Sequence, residues 1–422
     1  MANEAVRKPK GAQAKPKAQK KASKRPDWLA VGSFDLPFLI LTLVILTIGL
    51  VMLFSASYTD AYYNRHGDSA FYFKRQLIFA VVGIATMLGV SKIKYDYFRI
   101  AAVFAMPITW VLLIIVLIIP PYFKDFHRWI YIGNFTFQPS EIAKLAIVMV
   151  CAWAFEKNRK KIIGKTENKS AFSKLVSDLS GGRIVVYDSF VQLVIYGGII
   201  IITAGLIYLE NHVSGTLLLL AIGVVMLFLG EFKKHWFIII AVVAVVGIIF
   251  VITNPSILEK YAGARITAWL DKDYQPLGAR WQTNNSLYAI GSGGLFGVGL
   301  GNSKQKHLYV SEPQNDFIFS IVCEELGFVG AVIIIALFAL LVWRGVVIGI
   351  HAKDRFGALL SMGIVFQVGL QTALNIGVVT DTLPNTGISL PFFSYGGTSL
   401  LMLLGEMGMV LAVSRYSRLK KS

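Results

Sequence analysis

Residues Glu312–Trp343 read EPQNDFIFSIVCEELGFVGAVIIIALFALLVW, and this stretch decides the fold. From Phe317 onward it is almost continuously apolar, over more than the roughly 20 residues that a helix needs to cross a bilayer. Three carboxylates interrupt it. Asp316 stands at the lip, and Glu324 and Glu325 follow about two and a half helical turns deeper. An acid at membrane depth is a functional candidate by default. Asp316 also has a plainer reading, since Asp ahead of an apolar run is what a helix N-terminus prefers. Glu324 and Glu325 read first as groups that hold helices together through buried hydrogen bonds.

Similar runs recur along the 422 residues, of which 55% are hydrophobic and 15% charged. We read ten spans, at about 35–57, 76–90, 100–120, 138–156, 189–208, 214–230, 236–253, 314–343, 356–378 and 390–414. A closed β-barrel is the only other spanning architecture. Its short alternating strands do not fit runs such as VVAVVGIIFVI (242–252). The expected fold is therefore an all-α polytopic membrane protein, one domain of about ten transmembrane helices over 28–422. Cys151 and Cys323 both lie inside apolar runs, which excludes a disulfide framework or a CxxC metal site.

The net charge of +17 points to nucleic acid only until it is placed. With the N-terminus inside, most of the 41 Lys and Arg fall in the tail and in the loops on the same side. This is the positive-inside pattern, which puts both termini in the cytoplasm and argues against a nucleic-acid partner. Residues 1–27, MANEAVRKPKGAQAKPKAQKKASKRPD, lack the apolar core of a signal peptide. They are expected to form a basic disordered tail beside anionic lipid.

Polarity concentrates on the opposite side. Residues 254–313 are expected to form a large extracellular loop between the seventh and eighth helices, too rich in aromatics for disorder. Its glycines, from Gly291 to Gly301, lack any GxxxxGK[ST] context and read as tight turns on the membrane surface. Before the fourth span, HRWIYIGNFTFQPSEIAKLA (127–146) offers Ser140 as a helix start, with Glu141 and Lys144 three residues apart on one face. Lys144 could pair with Glu141 or snorkel to the interface, and Arg128 beside Trp129 could anchor a headgroup. Near the last two spans, LPNTGISLPFFSYGGTSLL (383–401) adds Ser394 and Tyr395. No HExxH, GxSxG or Walker sequence is present, and the six histidines show no metal-ligand spacing. The residues alone thus lead to an outward-facing, cationic polar cavity holding Asp316, Lys144 and Arg128. Its cations would take the phosphate of an anionic lipid-linked substrate, and its carboxylate would serve as base.

Four stretches together, HRWIYIGNFTFQPSEIAKLA, AIGSGGLFGVGLGNSKQK (289–306), EPQNDFIFSIVCEELGFVG (312–330) and LPNTGISLPFFSYGGTSLL, resemble the SEDS family (shape, elongation, division and sporulation). The similarity runs over about residues 35–414, and GLGNSKQK (299–306) looks like the division branch. The resemblance implies a peptidoglycan glycosyltransferase of the bacterial cytoplasmic membrane, at the division septum. Such proteins polymerise lipid II into glycan strands alongside a class B penicillin-binding protein and other division proteins. It places the catalytic carboxylate at Asp316 and a functional lysine at Lys144. Arg128, Glu141, Gln138, Glu312, Lys306 and Ser394 complete the expected substrate-binding set. No resident metal follows from the motifs, and a divalent cation beside the pyrophosphate is an open alternative. Other readings are a lipid II flippase, for which no inverted repeat is visible, and a non-catalytic scaffold recruiting the penicillin-binding protein. The chain departs from the family pattern at Thr136, where relatives often carry a basic residue, at Ser311 before Glu312, and at Gln275.

Overall fold

Nearly every apolar run becomes a helix. The computed structural model describes residues 28, 30, 32–119, 128–132, 135–163, 188–254, 264–278 and 280–418. The basic tail 1–27 lies outside the described residues. The helices are α1 (Leu36–Asn64), α2 (Phe71–Val90), α3 (Asp96–Ile118), α4 (Pro139–Lys157), the short α5 (Arg159–Ile162), α6 (Asp188–Leu209), α7 (Val213–Leu229) and α8 (Lys234–Thr253). They continue with α9 (Ala264–Leu270), α10 (Trp281–Ser292), α11 (Ile318–Ile350), α12 (Arg355–Val379) and α13 (Gly397–Ser414). Two short strands, β1 (Ile130–Ile132) and β2 (Phe135–Phe137), pair antiparallel ahead of α4.

Among the described residues, seven helices are long and apolar enough to cross a membrane. The stretches Val213–Leu229 and Lys234–Phe250 are shorter apolar helices. α4 carries Glu141, Lys144, Glu156 and Lys157 within its 19 residues. Among the described residues, the ten longest helices overlap the ten runs read as spans, with shifts at their ends. The second starts at Phe71, earlier than read, because its first turns mix Phe and Tyr with Lys74 and Arg75. The tenth starts at Gly397, later than read, because 390–396 form a turn with Phe392 at φ 65°. α4 opens at Pro139, a residue before Ser140, since proline's fixed φ and missing N–H suit the first helical position.

α4 sits at the centre, packed on α3, α12, α7 and α13. Almost all its residues from Ala143 to Phe155 are buried, and Ala143, Ala146, Ala152 and Ala154 let neighbouring helices approach closely. Polar clamps close the far end of the bundle. Asp35 caps α1 by accepting from Phe38 N at 3.0 Å and pairs with Arg344 of α11 at 2.7 Å. Asp354 caps α12 in the same way while accepting from Tyr95 and Arg99 of the α3 segment.

The described part of the expected extracellular loop, from Ala264 on, is structured. Besides α9 and α10, it holds a chain of turns from Gly293 to Phe317 that packs against a break in α11. The break is at Gly327, with φ 69°, a conformation that a side chain disfavours. It frees backbone groups that lipid would leave unsatisfied, and the turn supplies their partners. Val298 N and Gly299 N donate to the carbonyls of Glu324 and Glu325, and Phe328 N and Val329 N donate to those of Gly294 and Leu295. A Cβ at Gly327 would lie 2.3 Å from Gly297 N. The glycine series therefore packs a turn into a broken helix, which corrects the reading of it as turns lying on the membrane surface.

Candidate active site

A cavity of about 1140 Å³ opens between the β-hairpin, α2, α4, α7, α12, α13 and the turns at 312–316 and 387–396. That exceeds the roughly 300–1,000 Å³ of typical small-molecule sites. Asp316 lies on its wall, on the last turn before α11. The α11 N-cap is Phe317 and no side chain bonds there, so Asp316 is not the helix cap that the sequence allowed. Its backbone carbonyl accepts from Asn375 Nδ2 at 2.7 Å. Among the described residues nothing hydrogen-bonds its carboxylate. Burial and the nearby Glu312 charge push this carboxyl up to about 6, against the pull of Arg265 and Arg128. Gly387, at φ 73°, forms the facing wall, where a Cβ would lie 3.0 Å from Asp316 Oδ2.

Lys144 projects from the second turn of α4 and is 6% exposed. Its Nζ pairs with Glu141 at 2.9 Å, the shared face expected from their spacing, and donates to Gln371 Oε1 of α12 at 3.1 Å. Gln371 in turn donates to the Ser389 carbonyl at 3.0 Å. Below it, Gln367 donates to Glu406 of α13 at 3.0 Å. Glu406 is nine residues into its helix, so the polar lining reaches about 14 Å along it. The cavity is thus mixed in charge, with Glu141, Glu312, Asp316 and Glu406 facing Arg75, Arg128 and Lys144. This corrects the expectation of a cationic cavity, because Glu141 folds back on Lys144 and α13 contributes an acid that the apolar run had hidden.

Arg128 precedes β1 and donates to the Asn211 carbonyl. Burial and repulsion from Arg265 lower its pKa to about 10, partly offset by Asp316 and Glu210, so it stays charged at neutral pH. Glu210 is buried beside it and burial raises its carboxyl to about 9 despite that arginine. His212, between α6 and α7, is held neutral, its pKa lowered to about 3 by burial and by the Arg128 and Lys144 charges. Its Nδ1 lies 3.3 Å from Gln138 Nε2 and 3.5 Å from Ser140 Oγ. Gln138 is the α4 N-cap residue, yet its side chain turns to this histidine instead of capping the helix.

Seven of the eight residues proposed from the sequence meet at this cavity: Asp316, Lys144, Arg128, Glu141, Gln138, Glu312 and Ser394. Lys306 is the exception. It is 3% exposed and buried behind the turn, with Nζ 3.0 Å from Glu325 and 3.2 Å from Ser55 Oγ. Its charge is paired within the fold, and it does not line the cavity. Arg75, Gln371, Glu406 and His212 were missed. Only Glu406 carried a signal, as a lone acid in an apolar helix. Arg265 acts on Asp316 from α9, which no motif marked. Thr136, where a basic residue was expected, lines the cavity and accepts from Thr398 through its carbonyl. Ser311 lends its carbonyl to Gln282 Nε2 at 2.9 Å.

The family model for cell cycle proteins of the FtsW, RodA and SpoVE type matches residues 36–419. The chain belongs to this family. It is 37% identical over 386 residues to Stage V sporulation protein E of Bacillus subtilis, covering 91% of this chain and 98% of that one. It is 35% identical over 386 residues to the probable peptidoglycan glycosyltransferase FtsW of Trichlorobacter lovleyi, covering 91% and 94%. Solved structures share the fold. A chain from a peptidoglycan synthase complex aligns with a TM-score of 0.68 at 22% identity, covering 90% of this chain and 98% of that one. RodA of Thermus thermophilus aligns at 0.61 and 23%, covering 94% and 100%. The family's helical membrane architecture and this chain's agree.

Proposed function

We propose that Asp316 is the general base of a peptidoglycan glycosyltransferase that polymerises lipid II. In this reading a sugar hydroxyl of incoming lipid II attacks the anomeric carbon of a growing strand that carries polyprenyl pyrophosphate. The new glycosidic C–O bond forms as the C–O bond to phosphate breaks. Asp316 takes the hydroxyl proton, and the pyrophosphate leaves with the bonding pair toward Arg128 and Lys144. One observation carries this reading. Among the described residues, Asp316 is the cavity carboxylate without a hydrogen-bond partner, at a pKa near 6 that suits a base working near neutrality. Glu141, by contrast, is occupied by Lys144, and Glu406 by Gln367.

Purified protein, together with its cognate penicillin-binding protein blocked in any glycan synthesis of its own, tests the assignment on labelled lipid II. Asp316→Asn should keep its fold and lose about 10² to 10⁴ in rate. Wild-type polymerisation by that variant would remove Asp316 from the reaction. Chelation in the same assay tests whether a divalent cation assists. The termini are assigned to the cytoplasm and the cavity to the outer face, on the charge pattern. A class B penicillin-binding protein would pack its single helix on the exposed face of α11, at Phe328, Val332 and Ile333. Cysteine crosslinking along α11 and α12 tests that placement, and fluorescence imaging tests the division septum as the site of action.

A further inference from the structure

Among the described residues the Asp316 carboxylate has no hydrogen-bond partner, and its backbone is where the fold holds it. Three successive carbonyls of that backbone are clamped. Tyr395 N donates to Gln314 O at 2.8 Å, Ser394 Oγ to Asn315 O at 2.6 Å, and Asn375 Nδ2 to Asp316 O at 2.7 Å. Asn375 is fully buried in α12, and the same nitrogen donates at 2.6 Å to the carbonyl of Ile388. Ile388 follows Gly387, whose Cα faces the Asp316 carboxylate.

An amide nitrogen with two N–H groups can serve two carbonyls at once, which a hydroxyl or a carboxylate cannot do. The opposite amide orientation would aim Oδ1 at two carbonyl oxygens, so the hydrogen-bond network sets the orientation. The cost is visible on the other side of the group, where Asn375 Oδ1 is buried without a partner. A buried unsatisfied acceptor is destabilising. A residue that carries this burden while tying the acid to its facing wall is better explained by placement than by packing.

We propose that Asn375 is the positioning residue of the active site, one amide that holds the Asp316 backbone and the Gly387–Ile388 wall in fixed register. The inference rests on Asp316 being the base. Asn375 itself touches no reacting atom. Its removal frees Asp316 to rotate toward water, away from its desolvated place beside Glu312, Arg265 and Arg128.

Asn375→Leu, close in volume and without donors, and Asn375→Ser, smaller with a single donor, are measured beside Asp316→Asn on lipid II. Each Asn375 variant should lose about 10- to 100-fold in kcat, the usual effect of a misplaced catalytic group, with KM little changed. The acidic limb of the rate profile should move below pH 6 as the carboxyl gains water. Ser394→Ala, which releases the neighbouring Asn315 carbonyl and the Leu390 N–H but leaves Asp316 O held by Asn375, should move both quantities the same way by less. A merely structural role predicts a different pattern, in which rate falls in step with folded yield and the acidic limb stays in place. That pattern, or a wild-type kcat in folded Asn375→Leu, overturns the inference while leaving Asp316 as base if Asp316→Asn is inactive. Full activity of Asp316→Asn overturns the base assignment instead.

Discussion

Asp316 and the pair Glu324 and Glu325 lie within ten residues of one another, and the structure treats them in opposite ways. Glu324 accepts from Lys304 N at 2.8 Å and from Ser303 Oγ at 2.5 Å. Glu325 accepts from Ser55 Oγ at 2.7 Å and pairs with Lys306 at 3.0 Å. Every oxygen there is employed, and the two acids bind the turn 299–306 to α11 and α1. Asp316 has a clamped backbone and an idle carboxylate. Satisfied acids hold a fold together, whereas an acid held in place without partners keeps its acceptor capacity for something outside the chain.

This contrast makes crossed predictions. Asp316→Asn should give the largest effect, the 10² to 10⁴ loss of rate described above, at normal membrane abundance. Glu325→Leu should do the reverse, since it leaves the buried Lys306 charge uncompensated at a cost of about 3–5 kcal/mol. Thermal melting in detergent should fall sharply, while any properly folded fraction polymerises normally. A stable Glu325→Leu with a low specific rate would break the comparison.

Gly387→Ala places a side chain at φ 73° against Asp316 Oδ2. The left-handed conformation costs about 1–2 kcal/mol, and the crowding should slow turnover more than it weakens substrate binding. Steady-state kcat and KM separate the two effects. The mildest test is pH. The native carboxyl of Asp316 sits above its ordinary value, so ionising it opposes folding. That contribution favours the fold fully below the unfolded pKa near 4 and is lost as pH rises through about 6. Polymerisation should therefore fall below pH 6, where the base is protonated. Asp316→Asn should melt slightly above wild type at pH 7.5 and close to it at pH 4. Equal melting at both values would mean that the carboxylate is better solvated than its position indicates.

Much of this was legible in the chain. Apolar runs longer than a bilayer is thick have no other stable form than helices, so the helical membrane fold followed from the sequence. Polar residues gathered on one side marked Asp316, Lys144, Glu141 and Arg128. Spacing alone predicted the Lys144–Glu141 pair. What the sequence left open was occupancy. EPQNDFIFS allowed Asp316 as a cap or a base, and GLGNSKQK offered Lys306 as a substrate contact.

Only the tertiary structure decided these points, because hydrogen bonds between distant segments set which charges are free. Lys306 is consumed by Glu325 nineteen residues away and by Ser55 of α1. Gln371 enters the site, and Asn375 reaches the Asp316 backbone behind it, from a helix whose local sequence does not say which side chains they will meet. The N-terminus of α11 begins at Ile318 because the residues before it are held by Asn375, Ser394 and Tyr395. Local periodicity determines that a segment is a helix and which of its residues are out of place in lipid. Which of those residues has no partner depends on the whole chain having packed, and in this protein that is what separates Asp316 from Glu324 and Glu325.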